Sequence, residues 1–360
     1  MAKPNRITAG MFRPAQKDRR RGRMSHALAS AHDSVTIHHA TLKVTSCRIW
    51  RLVPDRVTIE PCEQLRRRGL RARSKKDESD MVKWMVVLMG LVMLPLSAQA
   101  VACGPDTDCV IGDRTYRIRM PEGHDGVTPV GAIVFVHGYR GTAAGVMRNK
   151  SLMKVASDLG VALIAVTSVG GDWSVPGAPK HGPQKEVDEL AYFDRVIADV
   201  AARFPIDTDQ IMVTGFSAGG MMVWNLACRR SEKFAAFAPM AGTFWRPIPR
   251  VCTGLPASIV HIHGDNDKTV PLNGRRIQQA WQGNVTRVIE MYAAYGGFGP
   301  PTAKKYKDLR CEQRQNGTGQ ILDFCLFSGG HSFRSAYVRW AWDRFVDAGQ
   351  LRRRSVANRR

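Results

Sequence analysis

The chain has 360 residues, a formal net charge of +22, 44% hydrophobic and 23% charged residues. That balance is too apolar for a disordered polyelectrolyte and leaves room for one large globular domain or two. The charge suggests a nucleic-acid partner, but it is unevenly spread. Residues 1–80 hold 19 Lys+Arg against 8 Asp+Glu, a net +11, and residues 352–360 add five arginines. The region between is mildly basic and carries no recognisable nucleic-acid module, so no nucleic-acid partner is expected.

Residues 1–80 show no sustained period of 3.6 or 2 and carry clusters at Arg19-Arg20-Arg21 and Arg66-Arg67-Arg68. They read as a basic extension without regular structure, or as an over-extended reading frame whose true start is Met81. The segment 81–100 has the layout of a secretory signal peptide. Lys83 supplies the positive start, residues 84–96 an apolar run, and Ser97-Ala98-Gln99-Ala100 an A-x-A end. A run of 13 residues is short for a membrane span, which needs about 20. The expectation is a secreted or periplasmic protein with no stable membrane association once the signal is cleaved. Six of the eight cysteines follow the signal. An even number in an exported chain suggests three disulfides, and the nearest-neighbour pairing is 103–109, 228–252 and 311–325. Ala100-Val101-Ala102-Cys103 also resembles a lipidation site, ranked second because it would leave an odd number.

From 101 to 350 no linker divides the chain, which reads as one domain followed by a basic tail, 351–360. Residues 116–120 suggest an early strand. The continuous apolar runs 131–136 and 161–169 suit strands buried on both faces of a parallel sheet. Helical patterns occupy 152–159 and 187–204; in the second, Leu190, Phe193, Val196, Ile197 and Val200 recur at helical spacing. Further strands are expected at 211–214, 234–240, 257–262 and 321–327, and helices at 218–229 and 332–348. Residues 293–320 break the rhythm and read as a long loop, a surface insertion or a flap beside the site. Alternating strands and helices imply an α/β fold, a mostly parallel central sheet flanked by helices.

The strand at 211–214 runs into Gly215-Phe216-Ser217-Ala218-Gly219-Gly220 and then a helix. A G-x-S-x-G on that turn is the nucleophile elbow of α/β-hydrolases, with the serine strained and exposed. A serine hydroxyl needs a base and a group that orients the base. In this fold the acid and the histidine follow the serine in that order. Of the histidines after Ser217, His261 and His263 lie on an apolar strand pattern, without partners at metal-ligand spacing. His331, between a strand and the last helix, is the candidate base. The acid must follow a strand, and Asp265 and Asp267 in the turn after His263-Gly264 fit equally. The oxyanion N–H groups fall to Ala218 and to Tyr139 in His137-Gly138-Tyr139-Arg140-Gly141. Trp173 and Trp245 are candidates for a pocket wall. No metal or cofactor is required by this chemistry.

These residues resemble the α/β-hydrolase esterases grouped with polyhydroxybutyrate depolymerases, feruloyl esterases and acetyl-xylan esterases. The resemblance covers roughly residues 103–345. Val136-His137-Gly138, Val213-Thr214-Gly215-Phe216-Ser217-Ala218-Gly219-Gly220-Met221 and Gly330-His331-Ser332 carry it. The group's H-G-x-x-D-x-x-V-P motif matches His263 to Pro271 and points to Asp267 as the acid. The resemblance implies an exported serine carboxylic-ester hydrolase with a Ser217-His331-Asp267 triad, acting on a small or oligomeric ester. Two departures stand out. Phe333-Arg334 follows Ser332 where Trp-Pro is frequent, and there is no separate substrate-binding module, which favours a soluble ester over crystalline polyester. A peptidase or lactonase on the same fold, or an exported binding protein that kept the elbow shape, are the alternatives.

Overall fold

The structure, a computed structural model, describes residues 48–53, 56–61, 103–179 and 187–353. The signal-like segment 81–100, His181 and residues 354–360 of the basic tail lie outside the described residues. The chain divides into two compact units, Met1–Pro95 and Leu96–Arg360. The first contains an antiparallel pair, β1 (Arg48–Val53) and β2 (Arg56–Pro61). The sequence reading had expected no regular element there. The signal was the alternation of Val57 and Ile59 with Arg56, Thr58 and Glu60, too short to register as a sustained period.

The second unit holds β3 (Cys109–Ile111), β4 (Arg114–Arg119), β5 (Val130–Val136), β6 (Ala162–Val166), β7 (Ile206–Phe216), β8 (Ala236–Met240), β9 (Ile259–Gly264), β10 (Arg276–Ile277), β11 (Ala280–Trp281), β12 (Thr302–Tyr306), β13 (Leu309–Gln315) and β14 (Ile321–Phe327). β10 and β11 form a short antiparallel pair of their own, and the other ten strands make one sheet in the order β12-β13-β14-β9-β8-β7-β5-β6-β4-β3. The contiguous strands β14, β9, β8, β7, β5 and β6 run parallel. Antiparallel strands close both edges. The parallel strands are buried on both faces, which is why β6, β8 and β9 are uninterrupted in burial. Along β5, Ala132, Val134 and Val136 face one core while Ile133 and Phe135 face the other.

Helices cover both faces. On one lie α3 (Glu189–Arg203), α4 (Ala218–Arg229) and α5 (Val285–Gly296), contributing Phe193, Trp224 and Tyr292 among others. On the other lie α1 (Ala143–Met147), α2 (Lys150–Leu159) and α6 (Ser335–Asp347), with Leu152, Trp342 and Phe345. The helix starts follow capping chemistry: the side chains of Asn149, Asp188 and Asn284 accept from Leu152, Ala191 and Arg287 N–H.

Residues 293–320 are not a long loop. They hold the end of α5 and the β12–β13 hairpin, which extends the sheet edge. A strand with exposed Lys304 and Lys305 beside a polar partner lacks the apolar signature that marks the buried strands. The three disulfides are Cys103–Cys109, Cys228–Cys252 and Cys311–Cys325, the nearest-neighbour set. The last joins directly opposed residues of β13 and β14 and so ties the added hairpin to the parallel core.

Candidate active site

The strand order reverses at β5. After β6 is laid on one side of β5, the chain returns to place β7 on the other. At such a switch point the loops leaving the carboxyl ends of adjacent strands diverge and open a crevice. Ser217 follows β7 and Gly138-Tyr139 follows β5, so both stand at that crevice.

Ser217 has φ 59° and ψ −120°, a conformation that L-residues rarely adopt and that costs about 1–3 kcal/mol. The turn closes because its glycines admit backbone where side chains cannot fit. A Cβ on Gly219 would lie 2.0 Å from the Val136 carbonyl oxygen, and one on Gly220 2.5 Å from that of Met240. Ser217 N–H donates to the Met240 carbonyl at 3.0 Å. Ala218 opens α4, so its N–H is among those without an intrahelical acceptor, at the positive end of the helix dipole. Ser217 Oγ carries no hydrogen bond among the described residues.

Asp267 and His331 meet: Nδ1 of His331 lies 2.6 Å from Asp267 Oδ2. The other carboxylate oxygen of Asp267 accepts from Thr269 N–H at 2.7 Å and Val270 N–H at 2.8 Å. Burial alone would raise the Asp267 carboxyl, but the hydrogen bonds from His263, His331 and Val270 outweigh it and hold the group well below the usual carboxylate range. The imidazole of His331 is 17% exposed and rests on the ring of Phe216, the residue before Ser217, centroids 4.6 Å apart. Phe333 meets Phe216 at 5.9 Å and Phe135 at 5.2 Å, so the residue that departs from the usual Trp-Pro supports the same aromatic floor.

Asp265 is turned elsewhere. It accepts from Arg310 at 2.7 Å, from Gly329 N–H at 3.1 Å and from Ser328 Oγ at 3.3 Å. The Arg310 guanidinium, first among these, lowers its carboxyl. The two aspartates that spacing leaves equivalent thus divide: Asp267 faces the imidazole, and Asp265 pins the loop that carries it.

The segment after β5 passes close over the elbow. A Cβ on Gly138 would be 3.2 Å from the Phe216 carbonyl oxygen and 3.5 Å from Ser217 Cβ. Tyr139, 44% exposed, sits at the rim, and Arg140 N–H donates to the Gly171 carbonyl at 2.6 Å. Trp173 does more than form a wall: its indole N–H donates to the His137 carbonyl at 2.8 Å and braces this segment. The His137 ring spans it too, with Nδ1 at 2.8 Å from the Gly138 carbonyl and Nε2 accepting from Ser168 N–H at 3.3 Å. Burial pushes the His137 imidazole down, in keeping with a neutral ring.

A cavity of about 190 Å³ opens beside Ser217, room for about six waters or a single ring. Trp173, Val175, Met221, Trp245, Val270 and Ile277 form its apolar walls, while Tyr139, Ala218 and Arg275 also face it. Both tryptophans singled out in the sequence therefore line the cavity that holds Ser217. Sequence reasoning missed Met221, Val270 and the aromatic support under His331. Met221 and Val270 look like ordinary core residues in their patterns, and only the fold turns them to the cavity. Among the described residues no group of three His, Cys, Asp or Glu side chains is set to hold a metal ion.

Residues 181–323 match the model of the Dienelactone hydrolase family. A probable feruloyl esterase C of Aspergillus terreus is 24% identical over 259 residues, spanning 68% of this chain and 88% of that one. Feruloyl esterase C of Emericella nidulans is 26% identical over 232 residues, 61% of this chain and 77% of its own length. Among solved structures, the acetyl xylan esterase from Aspergillus awamori aligns with a TM-score of 0.47 at 16% identity, covering 67% of this chain and 96% of that chain. The chain has the α/β-hydrolase fold, is similar to feruloyl esterases and matches the dienelactone hydrolase family over residues 181–323.

Proposed function

We propose that the protein hydrolyses a small or oligomeric ester through an acyl-enzyme on Ser217. The observation that carries this is the 2.6 Å contact of Asp267 with His331 Nδ1, which leaves Nε2 of an imidazole stacked on Phe216, the residue before the strained Ser217, free to serve as the base. In the first step His331 Nε2 takes the Ser217 proton as Oγ attacks the ester carbonyl. The N–H groups of Ala218 and Tyr139 hold the oxyanion. The C–O bond to the alcohol breaks, and the alcohol leaves with the proton from His331. Water then repeats the path, giving its proton to His331 and its hydroxyl to the acyl carbon, and Ser217 is restored as the acid departs. Asp267 stays ionised and keeps the imidazole oriented.

The apolar cavity walled by Trp173 and Trp245 suits a short or aromatic acyl group, as in the feruloyl and acetyl esters of the named relatives. The family match favours one second reading, a lactone, which is a cyclic ester opened by the same steps. The three disulfides support work in an oxidising compartment, secreted or periplasmic, reached through the 81–100 signal. The test is fluorophosphonate labelling of the oxidised protein together with a panel of aryl, acetyl, hydroxyacyl and lactone substrates. Labelling that disappears in Ser217→Ala and in His331→Ala supports the reading; labelling that persists in Ser217→Ala overturns it.

A further inference from the structure

Two histidines that the mechanism does not use lie behind the acid. His261 and His263 alternate on β9, so their side chains share one face, and both are fully buried. They form an unbroken chain of contacts with Trp224 of α4. Trp224 Nε1 donates to His261 Nδ1 at 3.2 Å, His261 Nε2 lies 3.0 Å from His263 Nδ1, and His263 Nε2 lies 2.8 Å from the Val270 carbonyl. That same His263 Nε2 is 3.5 Å from Asp267 Oδ2, the oxygen that meets His331.

The direction of every proton in this chain follows from its ends. An indole N–H can only donate, so His261 Nδ1 is bare and its proton is on Nε2. A carbonyl can only accept, so His263 Nε2 carries a proton. The contact between the rings then has one solution, with His261 Nε2–H donating to a bare His263 Nδ1. The two ends agree. A second proton on either ring would set N–H against N–H, so both imidazoles are neutral. Burial and the neighbouring ring act in the same sense on His261, driving its protonation well below the ordinary range.

We propose that His263, its tautomer fixed through His261 by Trp224, is a positioning residue for Asp267. Its Nε2–H is shared between the Val270 carbonyl and Asp267 Oδ2. The carboxylate is thereby gripped from both sides, by the Thr269 and Val270 N–H groups on Oδ1 and by His263 and His331 on Oδ2. A neutral donor steadies the anion without neutralising it, whereas a cationic partner would compete with His331 for its charge. The inference rests on the triad reading above.

The experiment compares His263→Leu, His263→Gln and Trp224→Phe with the wild type, each checked for folding by circular dichroism. The readouts are kcat and KM on a p-nitrophenyl ester, and the downfield proton NMR signal of the His331 Nδ1–H···Asp267 bond. His263→Leu is expected to lower kcat by about tenfold to a hundredfold at nearly unchanged KM, the range for a lost hydrogen bond to a charged group, and to shift or broaden that signal. His263→Gln returns a donor to the Nε2 position and should recover much of the loss. Trp224→Phe keeps the ring but frees the His261 tautomer, and should give a smaller fall in the same direction. A folded His263→Leu with wild-type kcat and an unmoved proton signal overturns the proposal. Should that variant not fold, Trp224→Phe decides: a fall in kcat at constant KM supports the chain, and unchanged kcat with an unmoved signal overturns it. Ser217→Ala, run alongside, separates the failures, because turnover surviving that change sinks the triad reading itself.

Discussion

The Phe216 ring lies 4.6 Å from the His331 imidazole, centroid to centroid and tilted by 36°. The residue just before the nucleophile turn thus supports the imidazole that follows β14. Phe216→Leu keeps an apolar side chain there but loses the flat platform. It should cost about 1 kcal/mol of stability and lower kcat several-fold with little change in KM, measured by urea unfolding and ester kinetics. Unaltered kcat would mean that Asp267 alone orients the ring.

The strained backbone at Ser217 gives a test without kinetics. Ser217→Gly removes the Cβ that makes φ 59° costly, although it loosens the unfolded chain. The balance predicts an inactive protein stabilised by about 1 kcal/mol, whereas Ser217→Ala should be inactive without that gain. Equal midpoints for the two variants would show that the surrounding structure absorbs the strain.

The two aspartates should separate cleanly. Asp267→Asn removes the anion facing His331 Nδ1 and should lower kcat by about 10⁴-fold. Asp265→Asn loosens the contact with Arg310 and Ser328 at the surface and should leave kcat within a few-fold. The reverse order would reassign the acid.

Arg114 and Glu189 form a buried pair at 3.0 Å, and Glu189 also accepts from Ser174 N–H at 3.1 Å beside the Trp173 wall. Burial raises the Glu189 carboxyl despite the arginine. Arg114→Met should cost about 3–5 kcal/mol by stranding that carboxylate, and Arg114→Met with Glu189→Leu should recover much of it. A double-mutant cycle in urea measures the difference.

Stability should fall in mild acid. His137 and His261 are held neutral by burial, while in the unfolded chain such groups take up protons below about pH 6.5. Their folded values are depressed, so the stability they contribute is present above about pH 6.5 and is lost as pH drops beneath it. Asp267, also depressed, adds a further loss below about pH 3.9. His261→Gln should make the decline of the unfolding free energy measured in urea between pH 6.5 and 5 shallower, by up to about 1.4 kcal/mol per pH unit. An unchanged slope would place the acid sensitivity elsewhere.

Much of this molecule was legible because its signals are local. The 321–327 run is β14, and the 218–229 pattern is α4. The apolar runs at 131–136 and 161–169 became β5 and β6, because strands buried on both faces need uninterrupted hydrophobic sequence. What escaped had no local signature. β12 and β13 are polar edge strands within the 293–320 stretch read as a loop, and α5, only the last four residues of which fall in that stretch, was not assigned.

The sequence by itself determined the elbow, since it depends on short spacings and on residues that few alternatives can replace; for the cysteines it supplied an even number, and the structure selected the nearest-neighbour set among fifteen pairings. Gly219 is dictated by a carbonyl 2.0 Å from where its Cβ would be, and so it announces itself as glycine in the text of the chain. Only the tertiary structure separated Asp265 from Asp267 by their partners, because one meets the His331 imidazole and the other Arg310, residues far along the chain. The same holds for Trp224, His261 and His263. Their protons are ordered by a helix crossing a strand, a relation that the spacing of residues along the chain does not contain.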